Sequence, residues 1–429
     1  MFLDGSMHES GGFEIRRSSS TLLAAKDRYD SVDPRRGIVM RKLIARGRLV
    51  IGNAVRRAVA GEFGRVDEEI ADLRREIASR PSSAAPMTGG DGTPPTSNAA
   101  LASERIEALS RRIGLSSPLL WNDLQRPIEP SLPSPREMVR RDGAGAEIAE
   151  FLKSVEGTPQ FDCLNDVASI EELFEQDAWP LPSAGDREGY FGGRDVAYTL
   201  SGMQDAAFLS TVAARYGLPM GADSTFLDFG CASGRVLRAF RKRHPDATAI
   251  GVDLNLQDIQ WARQALGDEI LFVQGTTLPH LPLETSSVDL IFAGSVFTHI
   301  ADFEEAWLLE LRRVLRPTGL AVLTVHPERL WTEMRDPEHG LVQLLHTARQ
   351  RVDPPGSMFE SLELFEHPMP GPRVIFTNVD WPVNNTQVFH SDEWIRDRWG
   401  AIFQVRERVA HAHGRHQDGI VMQVPPTGT

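Results

Sequence analysis

Residues 225–235, TFLDFGCASGR, constrain the fold of this chain more than any other stretch. The first residues are apolar and indicate a buried strand, and the small residues after them allow a tight turn before a helix. An acid stands at Asp228, two residues before Gly230, and Gly234 follows four residues later. A strand that ends in such a turn presents backbone N–H groups to a ligand. The segment therefore predicts an α/β nucleotide-binding domain.

The spacing of this turn separates two kinds of ligand. A dinucleotide fingerprint reads G-x-G-x-x-G and places a pyrophosphate against its glycines. In this chain the glycines are four residues apart, and Asp228 precedes them. A carboxylate there would repel a pyrophosphate, but it can bind the ammonium group of an amino-acid moiety. The pattern favours a cationic ligand that carries an amino acid, and it disfavours NAD-linked oxidoreduction.

Further strand candidates follow, with helices between them, at residues 249–253, 270–273, 288–292 and 320–325. This alternation predicts a parallel sheet with its ligand at the carboxyl ends of the strands. Asp253 ends the second strand, where a carboxylate can accept both hydroxyls of a ribose. The alternative is an aspartate that only caps the next helix. Residues 275–277 follow the third strand, where we expect an adenine.

The chain resembles the class I S-adenosylmethionine-dependent methyltransferases over about residues 188–424, in the motifs LDFGCASGR, GVDLN, VDLIFAGSVFTHI, WLLELRRVLRPTG and LTVHPE. The SVFTHI element and the late FHSDEWIRDRWG and HQDGIVMQ elements are similar to a bacterial branch associated with glycan and glycolipid assembly. The resemblance implies S-adenosylmethionine as the cofactor. It also implies a Rossmann-like, seven-stranded, mainly parallel sheet, whose last two strands lie near residues 403–410 and 419–424.

The resemblance also implies that the turn cradles the methionine part of the cofactor and that Asp253 binds its ribose. The implied cofactor-binding residues are Asp228, Gly230, Cys231, Ala232, Gly234, Asp253, Leu254, Gly275, Thr276, Thr277 and Ser295. The chain departs from the family pattern at two places. Ala232 replaces the usual middle glycine, which we expect to be tolerated if its φ stays negative. Thr276 and Thr277 replace the usual acid after the third strand.

Methyl transfer to a hydroxyl requires alignment of the acceptor and removal of a proton. The candidate bases are His299, His326 and His390, because histidine titrates near neutrality. The alternative for each is a structural histidine satisfied by local hydrogen bonds. His390 lies in an insertion, residues 327–391, which we expect to form an irregular cap over the acceptor. No metal site is predicted, and the histidines of residues 411–416 are expected in a solvated turn.

The chain before the predicted methyltransferase domain, residues 188–429, has a different character. Residues 1–33 are polar and predicted to be disordered. Residues 34–117 are predicted to form basic amphipathic and coiled-coil-like helices, with a flexible linker at 81–98. Residues 118–187 are expected to be a connecting helical region.

Two N-terminal segments predict contacts with partners. Residues 35–57 are basic and amphipathic, so they can contact an anionic membrane surface or an acidic partner, or dock on the protein itself. Residues 59–77 carry apolar positions at alternating spacings of four and three. Such a helix can pair two subunits as a short coiled coil, or fold as a hairpin within one chain.

Composition limits the remaining function classes. The net charge of −13 argues against broad nucleic-acid binding, which leaves a basic footprint. No apolar run approaches the roughly 20 residues of a membrane span, and the first residues lack a secretory pattern. The two cysteines, Cys163 and Cys231, do not make a disulfide framework. We therefore expect a cytoplasmic protein, which is membrane-associated if residues 35–57 bind lipid.

The leading interpretation of the whole chain is an O-methyltransferase. Its acceptor is expected to be a saccharide, a glycolipid or another small hydroxylated metabolite. Two alternatives remain open. One is a natural-product methyltransferase that acts on nitrogen or carbon, and the other is a scaffold or binding protein that keeps the fold without turnover.

Overall fold

The structure, a computed structural model, describes residues 128–187, 190–379 and 386–425. The predicted tail (1–33), the predicted helices (34–117) and their linker (81–98) lie outside these residues. The membrane or acidic-partner contact of residues 35–57 and the self-association of residues 59–77 therefore stay predictions.

The described residues begin with the helices α1 (Pro135–Asp142), α2 (Gly145–Val155), α3 (Pro159–Cys163) and α4 (Val167–Gln176). Ser134, Thr158 and Asp166 begin three of them, each with a side-chain oxygen that accepts a backbone N–H bond of the first turn. Apolar residues of these helices pack with those of a longer helix, α5 (Asp195–Arg215). The described part of residues 118–187 therefore contains these four helices, which pack against α5.

The central layer consists of parallel strands: β1 (Thr225–Phe229), β2 (Thr248–Asp253), β3 (Leu271–Gln274), β4 (Val288–Ala293) and β5 (Leu315–Pro327). They lie in the order β3-β2-β1-β4-β5. The helices that connect or follow them are α6 (Arg235–Arg243), α7 (Leu256–Leu266) and α8 (Glu304–Val314). Parallel strands that are joined by helices bring their carboxyl ends to one edge, which is where a ligand site is expected.

The residues predicted as an irregular cap contain strands of their own. After α9 (Glu328–Glu333) and α10 (Gly340–Leu345) come β6 (Gln350–Asp353), β7 (Ser357–Met358), α11 (Glu363–Glu366), β8 (Arg373–Asn378) and β9 (Thr386–His390). β9 pairs in parallel with the end of β5, where His326 lies opposite Phe389, and β8 pairs with β9 in the antiparallel sense. The remaining elements are α12 (Asp392–Trp394), a π-helical turn (Ile395–Trp399), β10 (Gln404–His413) and β11 (Gln417–Gln423).

The prediction of a seven-stranded sheet is wrong, because the sheet has eleven strands. β11 pairs with β5 and β10 pairs with β11, both antiparallel, close to the two late strands that the resemblance implies. The four additional strands are β6 to β9 of the insertion. They are short, and prolines such as Pro354 and Pro355 lie between them, so the local pattern predicts irregular structure.

Both faces of the central strands are buried, as parallel strands between helices require. One face packs Phe226, Phe292 and Val322 against α5 and α6. The other packs Leu227 and Ile291 against α8. Within the described ranges, no helix combines the length and the apolarity of a membrane span.

Candidate active site

The turn after β1 is built on two glycines. Gly230 and Gly234 have φ values of 85° and 83°, in the left-handed region that favours glycine. The N–H of Gly230 donates to the carbonyl oxygen of Val252 at 2.7 Å, which ties the turn to the end of β2. A Cβ atom at Gly230 would lie 2.3 Å from Cγ2 of Val296. Glycine is therefore required there by both conformation and space.

Ala232 has a φ of 44°, so the condition under which this replacement of glycine was expected to be tolerated is not met. Its N–H donates to Oδ2 of Asp253 at 2.7 Å, while Oδ1 accepts from the N–H of Asn255 at 2.9 Å. These bonds hold the left-handed conformation, which is unfavourable for a residue with a Cβ atom. Asp253 thus fixes the turn as well as ending β2, a structural role that sequence reasoning missed.

A cavity of about 290 Å³ lies at the carboxyl ends of β1, β2 and β4. It is lined by ten of the residues implied to bind the cofactor: Asp228, Gly230, Cys231, Ala232, Asp253, Leu254, Gly275, Thr276, Thr277 and Ser295. Gly234 is not part of the lining, and it precedes the first residue of α6 instead. The structure therefore brings nearly the whole implied set to one place.

Asp228 is the most unusual carboxyl group of the cavity. Its side chain is 3% exposed and has no hydrogen-bond partner within the described ranges. Burial raises its pKa to about 8, Arg235 opposes this effect, and the charges of Asp205 and Asp253 reinforce it. A buried carboxyl group of this kind becomes ionised when a cation binds beside it. Asp228 therefore fits the ammonium group of an amino-acid moiety.

A second group in the cavity also lacks a partner. Oγ1 of Thr277 is buried and makes no hydrogen bond within the part of the chain that the structure describes. It lies after β3, where we expect the adenine. Buried polar atoms in native proteins nearly always have a partner, so a polar ligand fits here. With Asp228 for the ammonium group and Asp253 for the ribose, the lining fits S-adenosylmethionine.

Of the three candidate bases, only His299 lines the cavity. Its Nδ1 lies 2.8 Å from the carbonyl oxygen of Thr386, and burial lowers its pKa. His326 is buried between β5 and β9, with Nε2 3.0 Å from Oε1 of Gln387, and burial lowers its pKa to about 3. His390 is also buried, with Nε2 3.2 Å from Oε2 of Glu304.

Glu304, at the start of α8, is a buried carboxylate with four polar side chains around it. Oε1 accepts from the indole nitrogens of Trp394 and Trp399 at 2.8 and 2.6 Å. Oε2 lies 2.6 Å from Nε of Arg373 and faces His390. Burial alone would raise the pKa of Glu304, but His390 and Arg373 outweigh it and lower the pKa to about 2. His390 therefore belongs to an internal ion-pair network.

The insertion supports the loop that carries His299. Arg373 donates from Nη2 to the carbonyl oxygens of Ile300 and Ala301 at 2.6 and 3.0 Å. The N–H of Val388, in β9, donates to the carbonyl oxygen of Thr298 at 2.8 Å. None of the described residues of 327–391 lines the cavity. The insertion thus braces the loop after β4 where a covering wall was expected.

Sequence reasoning missed a charged layer on the α5 side of the cavity. Nη1 of Arg235 lies 2.8 Å from Oδ2 of Asp205, and Nδ1 of His413 lies 3.4 Å from the same oxygen. His413 lines the cavity and contacts the ring of Phe292, because β10 extends as far as His413 into the residues expected in a solvated turn. The described residues contain no cluster of three or more side chains that could hold a metal ion.

Comparison with known proteins agrees with this geometry. Residues 227–323 match the family model described as a methyltransferase domain. A trans-aconitate 2-methyltransferase of Azoarcus sp. is 33% identical over 126 residues, which cover 29% of this chain and 46% of that relative. A malonyl-[acyl-carrier protein] O-methyltransferase of Hahella chejuensis is 28% identical over 144 residues, which cover 33% of this chain and 50% of that relative. The chain thus spans about half the length of these relatives.

A solved structure gives a weaker likeness. The 1,6-didemethyltoxoflavin-N1-methyltransferase of Burkholderia thailandensis, bound to 1,6-didemethyltoxoflavin and S-adenosylhomocysteine, is 18% identical and covers 56% of this chain and 84% of its own. The TM-score of this comparison is 0.35. The family match itself runs from β1 to β5 and includes Asp228, Asp253 and His299. Residues 227–323 of this chain therefore match a methyltransferase domain.

Proposed function

We propose that the protein transfers the methyl group of S-adenosylmethionine to an oxygen atom of a small acceptor. The observation that carries this proposal is the single cavity that brings Asp228, Asp253 and His299 together at the carboxyl edge of the sheet. When bound, S-adenosylmethionine supplies a methyl group on a positively charged sulfur, which is open to nucleophilic attack. The residues of the chain bind and orient the reactants and accept a proton.

The cofactor-binding part of the cavity is assigned from its polar groups. Asp228 receives the ammonium group, because its buried carboxyl group lacks a partner among the described residues and is stabilised as an anion by a cation. Asp253 offers its carboxylate to the ribose hydroxyls from the end of β2. Oγ1 of Thr277 offers a hydrogen bond to the adenine.

His299 acts as the general base in this proposal. A carbonyl oxygen only accepts hydrogen bonds, so the contact with Thr386 places the ring proton on Nδ1. Nε2 then carries a lone pair and has no partner within the described ranges. The lowered pKa keeps the ring neutral near pH 7, which a base requires. Nε2 takes the proton of an acceptor hydroxyl as the oxygen attacks the methyl group.

The acceptor that we propose is a hydroxylated small molecule. A saccharide or glycolipid agrees with the sequence motifs shared with the glycan-associated branch. A carboxylated acceptor is the second candidate, because the two relatives are described as acting on trans-aconitate and on malonyl-[acyl-carrier protein]. A carboxylate is already ionised at neutral pH and needs no base. His299 therefore distinguishes the two acceptor classes.

The test is transfer of a labelled methyl group from S-adenosylmethionine to two acceptor panels, one of sugars and glycolipids and one of di- and tricarboxylates. With a hydroxyl acceptor, we expect His299→Gln to lower kcat by about 100- to 10,000-fold and to leave cofactor affinity unchanged. His367→Gln, at an exposed histidine of the insertion, is the control.

Three other results would each change the assignment. Transfer only to carboxylates, with full activity in His299→Gln, would replace the first candidate by the second. Methylation of nitrogen or carbon in an accepted compound would support a natural-product methyltransferase. Cofactor binding without turnover of any compound would support a binding or scaffold protein.

A further inference from the structure

Arg187 lines the cavity, and nothing in the motifs of the sequence assigns it a role. The residue is 2% exposed. Its Nε and Nη1 atoms are buried and have no hydrogen-bond partner within the described ranges. An arginine is ionised at any physiological pH, so these donors cannot lose their protons to avoid the cost of burial. The cavity therefore contains a buried guanidinium group with two nitrogens that have no hydrogen-bond partner among the described residues.

The third nitrogen of Arg187 holds the side chain in place. Nη2 donates to the carbonyl oxygen of Gly192 and, at 2.5 Å, to Oδ1 of Asp195. The guanidinium carbon lies 4.7 Å from the centroid of the Tyr198 ring. The side chain of Asp195 is 27% exposed, whereas that of Arg187 is 1% exposed. Asp195 thus anchors the guanidinium from the solvent side, and the two other nitrogens remain open.

Arg187 is connected to the glycine turn through Tyr198. The hydroxyl of Tyr198 lies 3.1 Å from Oγ of Ser233, a residue of that turn. The other arginine of the described lining, Arg235, forms an ion pair from Nη1 to Oδ2 of Asp205 at 2.8 Å and donates from Nη1 to Oγ of Ser201 at 3.0 Å. Arg187 is therefore a buried arginine next to the turn whose Nε and Nη1 atoms have no hydrogen-bond partner within the described ranges.

We propose that Arg187 binds the carboxylate of the amino-acid tail of the cofactor. That tail carries an ammonium and a carboxylate group on the same carbon, so a site for it needs an acceptor and a cationic donor close together. Asp228 supplies the acceptor, and Arg187 supplies N–H groups that suit carboxylate oxygens. The inference rests on the proposed function, because it requires that this cavity holds S-adenosylmethionine.

Calorimetry tests the inference without any acceptor, so a carboxylate of the acceptor cannot account for the result. The ligands are S-adenosylmethionine, its decarboxylated analogue, which keeps the ammonium and sulfonium groups, and 5′-methylthioadenosine, which lacks the whole tail. We expect the wild type to prefer S-adenosylmethionine over the decarboxylated analogue by about 10- to 100-fold. Arg187→Gln should remove this preference and leave the affinity for 5′-methylthioadenosine unchanged.

Arg194→Gln, at an exposed arginine seven residues away, is the matched control and should keep the preference. A preference that persists in Arg187→Gln would overturn the inference. If Arg187→Gln also loses 5′-methylthioadenosine binding, the same three ligands are measured with Arg187→Lys, which keeps the positive charge next to Asp195. A reduced preference in that variant supports the inference, and an unchanged one overturns it. Failure of the wild type to bind any of the three compounds would instead overturn the proposed function.

Discussion

Nδ1 of His299 lies 2.8 Å from the carbonyl oxygen of Thr386, and Oγ1 of Thr386 donates back to the carbonyl oxygen of His299 at 2.6 Å. Two residues that are far apart in sequence thus make a reciprocal pair of hydrogen bonds. The pair fixes the ring tautomer, because only a protonated Nδ1 can donate to a carbonyl. A strand of the insertion therefore controls which nitrogen of His299 is open toward the cavity.

The first prediction concerns the pH dependence of turnover. A base must be unprotonated, so kcat should fall as the pH drops through the pKa of His299 in the complex. Burial lowers this pKa below the ordinary 6.5, so the acidic limb should lie below pH 6.5. The measurement is a pH profile of kcat for wild type and His299→Gln. A limb above pH 6.5, or the same limb in the variant, would exclude His299 as the base.

The second prediction concerns proton release at Asp228. The carboxyl group is mostly protonated at pH 7, because burial raises its pKa to about 8. A cation bound beside it lowers the pKa, so binding of S-adenosylmethionine should release up to about one proton. Calorimetry at pH 7 in two buffers of different ionisation enthalpy measures this number. Asp228→Asn should bind without release, and equal release in both proteins would contradict the assignment.

The third prediction concerns the ion-pair network of Glu304. Glu304→Gln should lower the free energy of unfolding at pH 7 by about 3–5 kcal/mol, because Arg373 loses its buried anionic partner. The pKa of Glu304 is lowered from 4.5 to about 2, so the stabilisation is present above pH 4.5 and is lost as the pH falls toward 2. Denaturant unfolding at pH 7 and at pH 3.5 should show a smaller difference at the lower pH.

The neighbouring residue provides the control for this experiment. Glu305 pairs with Arg398 at 2.7 Å on the surface, with both side chains about half exposed. Glu305→Gln should change the free energy of unfolding by less than about 1 kcal/mol. Equal effects of the two substitutions would show that burial of the Glu304 network contributes nothing.

The fourth prediction concerns space in the glycine turn. Gly230→Ala should destabilise the protein by about 1–3 kcal/mol through the contact with Val296, and by a further ~1–2 kcal/mol through the left-handed backbone. Val296→Ala should recover only the first part. A thermodynamic cycle of the two single variants and the double variant measures the coupling. Additive effects would mean that the side chain of Val296 moves aside without cost.

The central strands could be predicted because their information is local. Each is an apolar run that ends in a small residue or an acid, and the helices between them fix a parallel order. The limits of β5 were less predictable. RPTG at residues 316–319 is typical of a helix end and turn, yet these residues extend the strand, because Leu315 lies opposite Val288 of β4. Tertiary pairing decided this boundary.

The missed parts of the site depend on contacts between distant residues. Glu304 looks like an ordinary acid in the first turn of a helix, and nothing nearby in sequence indicates that His390 and Arg373 surround it. Likewise, the HAHGRH stretch reads as a turn, although β10 brings His413 to the cavity. All three candidate bases are placed near the ligand by sequence, with His299 preferred, and the fold separates His299, which lines the cavity, from the two buried rings.

β5 is shared between two sets of strands. Its middle pairs with β4 and β11, and its last two residues, His326 and Pro327, pair with β9. Chimeric proteins that exchange residues 328–391 with those of another methyltransferase would therefore replace the residues that support the loop carrying His299. To keep His299 in position, the exchanged segment must reproduce the backbone of Thr386 and the guanidinium of Arg373. A segment chosen only for its fit to a new acceptor would lose the hydrogen bonds between Thr386 and His299.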